Sequence, residues 1–471
     1  MLSHWIENRA VGEIGAVGIE VLDPASEERL DTMPEGIAMV DAAVRSARQA
    51  QPMWGSLSPT QRKDLLLEAA VHLEGHAEAI IDVFVAENGK PRREAGAEVR
   101  FAAGVLRSFA ELAVHVRTGV QGAAAGNLVF QHRVPRGVCA CIVPWNFPIA
   151  IAMENLAPNL AMGNTVVLKP SEKTPMATRL LVEAAFGHLP PGVVNVLLGS
   201  GPTGAALVGH DDVDLVVFVG SERTGRSIGG VCGPLLRKVV LELGGKDPMI
   251  VDETVDLGAA ARLAAATTYA NAGQICTSTE RIYVQRGVFD QFLDEMESVS
   301  AAQRIGPGSD PASTMGPLID ELQLGKVASQ VEDAVKLGAE VRCGGHRLDR
   351  RGYFYPPTIL TGVRDGMLLM QEETFGPIAP LIPFDDFEEA LALANAGRYG
   401  LAAIVCTTSP SRAMAAIERL EAGMVKINTT RGKAEGGTSE PFKSSGIGHG
   451  YGIEILGEVT RQKSIHWRSQ L

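Results

Sequence analysis

Between residues 136 and 247 the chain switches repeatedly between short β-rich apolar runs and helical ones. The segments are GVCACIV, IAIAMENLAPNLAM, NTVVLKP, TPMATRLLVEAAFGHL, VVNVLLG, PTGAALVGH, VDLVVFVG, RTGRSIGGVCG and KVVLELGG. Near-continuous apolar strands alternating with helices predict a parallel sheet covered on both faces, an α/β architecture. Ligands of such sheets sit beyond the carboxyl ends of the strands. PWNFP, KPSE, GSGPTG, GSERTG and LELGG all fall at those ends, so five loops are expected on one rim.

The chain has 471 residues, too many for one compact core. Residues 36–116 carry apolar side chains at helical spacing, with Pro59 near a helix start. Residues 117–135 are Gly-punctuated and weakly alternating, as an extended excursion would be. A second α/β region is expected over 248–440, with RIYVQ, LAAIVCTT and GMVKIN as strands. EILGEVTRQKSIHW reads as an extended arm.

A formal net charge of −12 without a long Lys/Arg block argues against a nucleic-acid partner. Six cysteines, at 139, 141, 232, 276, 343 and 406, sit mostly in apolar runs, which fits reduced thiols in a cytoplasmic protein. MLSHWIENRAVGEIG lacks the pattern of a signal peptide, and no apolar run approaches a membrane span.

Several residues stand out chemically. GSGPTG (199–204) fits GxGxxG between a strand and a helix, a weak signal when alone; its glycines serve a tight turn equally well. GSERTG (220–225) opens the next helix the same way, where free N–H groups and the Ser221 hydroxyl suit a phosphate. Two such turns on one rim favour a dinucleotide. In KPSE, Lys169 and Glu172 are either solvated charges or partners of a ribose diol, where Glu172 would repel a 2′-phosphate. Glu242 lies inside an apolar strand. It reads equally as one end of a buried salt bridge or as a general base. Asn146, stiffened by Trp145 and two prolines, is either a turn residue or an oxyanion donor. Cys276 stands in a polar junction after an expected helix ending at Gly273, unlike the other cysteines, which read as small hydrophobes. Cys139 and Cys141 share a strand face without a second ligand pair, and the ten histidines show no metal spacing.

Seven stretches together resemble the aldehyde dehydrogenase superfamily: PWNFP (144–148), LKPSEKTP (168–175), GSGPTG (199–204), FVGSERTG (218–225), LELGGK (241–246), GQICTS (273–278) and EETFGP (372–377). They occur in the family's order over most of the chain. The resemblance implies a Rossmann-like NAD(P)-binding domain (1–116 and 136–247), a catalytic α/β domain (248–440) and a small β oligomerisation arm (117–135 and 441–471). It implies that Cys276 is the nucleophile, Glu242 the general base, and Asn146 with the Cys276 backbone N–H the oxyanion hole. Glu373 would hold the nicotinamide ribose and Phe375 would lie against the nicotinamide. Lys169 and Glu172 would bind the adenosine ribose, and Ser221 the pyrophosphate. Trp145, Gly204, Gly220, Gly225 and Leu243 would line the cofactor cleft.

On this resemblance the chain oxidises an aldehyde through a thiohemiacetal and a thioester, using NAD in preference to NADP because of Glu172. Family members that acylate coenzyme A typically lack the glutamate at 242, so its presence favours hydrolysis; a coenzyme A-acylating semialdehyde dehydrogenase is the alternative. A protein that kept the fold and lost the chemistry would lack the Cys, Glu or Asn, and all three are present. The chain departs from the family pattern at Glu154 and Asn155, at PFKSSG (441–446) and in the long loop TTRGKAEGGTSE. Arg431 and Lys433 in that loop would favour an aldehyde bearing a carboxylate, and Glu154 would oppose it. The arm VTRQKSIHW, added to a neighbour's sheet, implies a homodimer or homotetramer.

Overall fold

The computed structural model describes residues 1–12, 18–116, 119–124, 127–430 and 439–468. Its centre is two largely parallel sheets. The first has eight strands, and its five middle strands run parallel in the order Val194–Val196, Thr165–Lys169, Val138–Ile142, Leu215–Val219, Lys238–Glu242. These are the strands expected from the alternating segment, and every residue of Thr165–Lys169 is buried. Their carboxyl ends carry the five anticipated loops. Both edges are closed by antiparallel additions. On one side are His4–Ile6 and Arg9–Val11; on the other is Gly446–Ile447, paired with Leu241 and Glu242.

Helices Val40–Ser56, Pro59–Gly75, Ala77–Asn88 and Arg92–Val114 fill the region read as helical. Pro59 takes the first helical position, and Ser58 and Gln61 cap each other reciprocally across the first turn. Apolar clusters cover both faces of the sheet; the larger includes Trp54, Phe84, Phe109 and Phe186.

The second sheet orders its strands Glu340–Cys343, Thr358–Thr361, Ile378–Phe384, Thr279–Gln285, Asp247–Val251, Ala402–Cys406, Met424–Ile427. All neighbours are parallel except the first pair. A third, three-stranded sheet joins Val120–Ala124, Asn127–Pro135 and Thr460–Arg468, with the last at one edge. Phe442–Lys443 pairs with Tyr399–Gly400, so the C-terminal segment touches other sheets before it reaches this one.

The stretch before Cys276 differs from expectation. The helix spans Leu257–Thr268 and stops five residues before Gly273. A short turn, Ala270–Gly273, follows, with Asn271 at φ 49° and Ala272 at φ 55°. This left-handed pair swings the chain off the helix axis, a conformation L side chains adopt only when their surroundings enforce it.

Candidate active site

Cys276 is half-buried and forms no disulfide. It lines a cavity of about 1540 Å³ together with Glu242, Leu243, Phe147 and Tyr451. Glu242 ends its strand half-buried, and its Oε1 accepts the Gly450 N–H at 3.0 Å. The turn that follows Glu242 runs against the Cys276 backbone. A Cβ at Gly245 would overlap the Cys276 carbonyl oxygen, so only glycine allows that approach.

Asn146 is 2% exposed and lies just behind Phe147 rather than on the cavity wall. Its Nδ2 donates to the Gln274 carbonyl at 3.0 Å, two residues before Cys276. Its own carbonyl accepts from Lys90 Nζ at 2.8 Å and Asn271 Nδ2 at 3.1 Å. Gln274 is fixed in turn by the Ile319 N–H at 2.9 Å. Glu94 Oε2 accepts the Asn271 N–H at 3.0 Å, which helps hold the left-handed turn. Burial raises the pKa of Glu94.

On the far side of Gly245 lies the EETFGP loop. Glu373 Oε1 accepts the Gly245 N–H at 3.2 Å. Burial, then the neighbouring Glu280 charge, push Glu373 up to about 7. Phe375 sits at φ 57° and meets Trp145 edge to face, with ring centroids 5.4 Å apart. That unusual backbone is held from two sides. Glu280 accepts the Thr374 and Phe375 N–H groups at 2.7 and 2.8 Å, and Gln323 Nε2 donates to the carbonyls of the same residues at 3.0 and 2.8 Å. Glu280 is itself paired with buried Lys246 at 2.7 Å.

The remaining cofactor candidates surround the rim of the first sheet. Lys169 is 4% exposed, donates to the Pro170 carbonyl at 2.9 Å, and burial pulls its ammonium below the usual lysine range. Glu172 is half-buried beyond the same strand. Gly204 faces the Lys169 side chain, Gly220 the Phe218 ring, and Gly225 the Leu243 side chain. Ser221 caps the helix Glu222–Cys232 by accepting the Thr224 N–H at 3.3 Å. Among the described residues the N–H groups of Glu222 and Arg223 have no protein acceptor, which suits an anion at this helix start. The GSGPTG turn differs: Glu35 accepts its Ser200 N–H at 3.1 Å and also engages the Ser200 and Thr203 hydroxyls. Burial opposes ionisation of Glu35, but these bonds hold its pKa below the ordinary value. That turn is therefore already filled by a protein carboxylate.

Sequence reasoning did not find Gly450, Lys90, Glu98, Glu280, Gln323 or Glu35. Lys246 belonged to a recognised motif, but its partner at 280 had no signal. Arg431 and Lys433 lie outside the described residues. Glu154 and Asn155 both line the cavity. Among the described residues no group of three or more His, Cys, Asp or Glu side chains forms a metal site.

Two largely parallel sheets, a cysteine and a carboxylate lining one cavity, and a helix start with N–H groups left over at the sheet's rim place the chain in the α/β class. Comparison with known proteins makes this specific. Residues 13–465 match the aldehyde dehydrogenase family. The chain is 36% identical to lactaldehyde dehydrogenase of Escherichia coli (strain K12), covering 99% of this chain and 98% of the relative. An E. coli NADP-dependent enzyme superposes with TM-score 0.96 at 35% identity, over 99% of this chain and 98% of the other. The NAD+ complex of an aldehyde dehydrogenase from Bacillus cereus superposes with TM-score 0.97 at 33% identity, over 100% and 97%. The chain belongs to the aldehyde dehydrogenase family, and it has that family's fold.

Proposed function

We propose that the protein oxidises an aldehyde to the carboxylic acid with NAD+ and water, releasing NADH and a proton, with Cys276 as the nucleophile. One observation carries this reading. Cys276 and Glu242 line the same cavity, and Glu242 is three residues from the Gly245 N–H that holds Glu373.

The residues fit a dinucleotide. The unpaired N–H groups at Glu222 and Arg223 suit the pyrophosphate, Lys169 and Glu172 the adenosine ribose, and Glu373 the second ribose. Phe375 and Trp145 supply an apolar wall for the nicotinamide. A carboxylate at 172 accepts from a ribose diol and repels a 2′-phosphate, which favours NAD over NADP. When bound, the nicotinamide accepts the hydride that the oxidation releases.

The Cys276 thiolate attacks the aldehyde carbon, forming a C–S bond and an oxyanion. The Cys276 N–H stabilises that oxyanion, a contribution of about 3–4 kcal/mol per donor; the Asn146 amide, held off the cavity wall against the Gln274 carbonyl until substrate binds, turns its second N–H to the same oxygen. Its electron pair returns to re-form C=O as the C–H bond is lost, leaving a thioester on Cys276. Glu242 then takes a proton from water as the water attacks, and Cys276 leaves as thiolate. The Gly450 N–H is one of the groups that hold the Glu242 carboxylate for this step.

No strand among the described residues pairs with the outer edge of Thr460–Arg468, which suits strand addition from a second copy, and a homo-oligomer follows. Among the described residues no helix is long and apolar enough to cross a membrane. We place the protein in the cytoplasm on its six cysteines, none of which forms a disulfide.

The test is NADH or NADPH formation from a panel of short, hydroxylated, carboxylated and aromatic aldehydes, with water or coenzyme A as acceptor. Carboxylic acid and NADH should form with at least one aldehyde. Formation of acyl-coenzyme A in place of acid would replace the hydrolytic step, and no reaction with any aldehyde would end the proposal.

A further inference from the structure

Lys90 and Glu98 form an ion pair at 2.7 Å with side chains 0% and 2% exposed. Two charges taken out of water are costly to bury and are weak evidence of stabilisation by themselves. The steps above give them no part. Both ends of the pair converge on residues 146–150. Glu98 Oε1 accepts the N–H groups of Ile149 and Ala150, each at 3.0 Å, at the start of the helix Pro148–Ala161. That helix has no side-chain cap from its own N-cap residue, Phe147.

Lys90 Nζ donates to the Asn146 carbonyl at 2.8 Å and is covered by the Phe147 and Phe84 rings, 4.0 and 4.6 Å from their centroids. Two residues earlier, Asn88 Nδ2 donates to the Trp145 carbonyl at 2.8 Å. One turn, Asn88 to Lys90, therefore grips two successive carbonyls of the PWNFP loop. The Asn146 carbonyl also receives Asn271 from the loop leading to Cys276, and the Asn146 amide returns to that loop at Gln274. Lys90 supplies the charged bond of this junction, about twice as strong as a neutral one.

We propose that Lys90 is a positioning residue for the oxyanion donor: its ammonium, anchored by Glu98, fixes the Asn146 backbone so that the amide stays against the loop carrying Cys276. This rests on the reading of Asn146 as that donor. Lys90 touches neither aldehyde nor cofactor and acts through Asn146 alone.

The test is a double-mutant cycle. K90M alone would strand a buried carboxylate, so K90M/E98Q removes both charges together. The rate of the first NADH turnover with propanal and saturating NAD+ is measured in wild type, K90M/E98Q, N146A and the combined triple variant, with Tm recorded for each. Positioning predicts a loss of about 10- to 100-fold in K90M/E98Q and about 100- to 1000-fold in N146A. The triple variant should be within about threefold of N146A, because the pair has nothing left to position. KM for NAD+ should hold within about twofold in K90M/E98Q.

Equal fold losses in both backgrounds, or a lowered Tm with an unchanged rate, would overturn the proposal. K90Q/E98Q keeps a neutral hydrogen-bonding pair and carries the same cycle, with a smaller loss, if the methionine variant does not fold. A crystal structure of the double variant reads the claim without turnover. The Asn146 amide should have left the Gln274 carbonyl, and an unmoved amide overturns the proposal. A wild-type protein inactive with every aldehyde would instead sink the functional reading, leaving this structural outcome to judge Lys90.

Discussion

Glu242 rests on the backbone N–H of Gly450, a residue 208 positions further along the chain, at 3.0 Å. A Cβ at 450 would overlap the Oε1, Cγ and Cδ atoms of that glutamate. The position therefore has to be glycine for the carboxylate to lie where it does.

G450A should accordingly displace Glu242 without touching Cys276. The first-turnover burst of NADH should survive, and the steady-state rate that follows should fall about tenfold or more, the scale of a general base moved out of place. Stopped-flow absorbance at saturating aldehyde separates the two phases. A variant with wild-type burst and steady-state rates would show that the Gly450 contact is irrelevant to hydrolysis.

Glu373 gives a pH dependence. Burial and the charge of Glu280 raise it to about 7. A carboxylate raised in the folded state contributes stability that is fully present below its unfolded value and is lost as pH rises through the folded one. The contribution of this group therefore declines between about pH 4.5 and 7. Cofactor binding should run the opposite way, because a ribose diol needs the ionised form as acceptor. The Kd for NAD+ from fluorescence titration should fall between pH 6 and 8, and E373Q should flatten that profile. A wild-type Kd independent of pH would remove Glu373 from the binding site.

Glu280 and Lys246 hold the backbone on which Glu373 and Phe375 stand. E280A would leave the Lys246 ammonium buried without its carboxylate and free two N–H groups. Unfolding in urea should show a loss of about 3–5 kcal/mol, the usual cost of breaking one side of a buried pair. NAD+ binding should weaken with it. A loss under about 1 kcal/mol would mean that the Thr374–Phe375 backbone holds its shape by other means.

Much of the first sheet was legible because its strands are β-branched runs punctuated by glycine and proline, and because its loops fall at strand ends. Val138–Ile142, Thr165–Lys169 and Leu215–Val219 stand where that reading put them. His4–Ile6 and Arg9–Val11 were missed, since three-residue edge strands have no periodicity to display. Ile378–Phe384 contains Pro380 and Pro383, residues that argue against a strand, yet it pairs on both sides. The turn at Asn271–Ala272 was hidden because the alanine-rich pattern continues through it; tertiary contacts, not propensity, impose its left-handed φ.

The candidate site divides the same way. Glu242 stood out as a carboxylate in an apolar strand and Cys276 as a thiol in a polar junction, whereas Asn146 read equally as an ordinary turn residue until the family resemblance joined it to them. Lys90 and Glu98, eight positions apart in a helical region, read as two ordinary charges, and only the fold reveals that both are buried. Gly450 has no side chain to notice. Its importance is a long-range exclusion that a single sequence does not display.

The central claim is that Cys276 carries the acyl group and Glu242 releases it. Rapid mixing of aldehyde and NAD+ with E242Q and with C276A tests it most directly. The account predicts a burst of about one NADH per active site in E242Q, then a steady rate slower than wild type by about 100-fold or more, and no NADH from C276A. NADH formed by C276A at the wild-type rate, or E242Q turning over without a burst and at full speed, would contradict it.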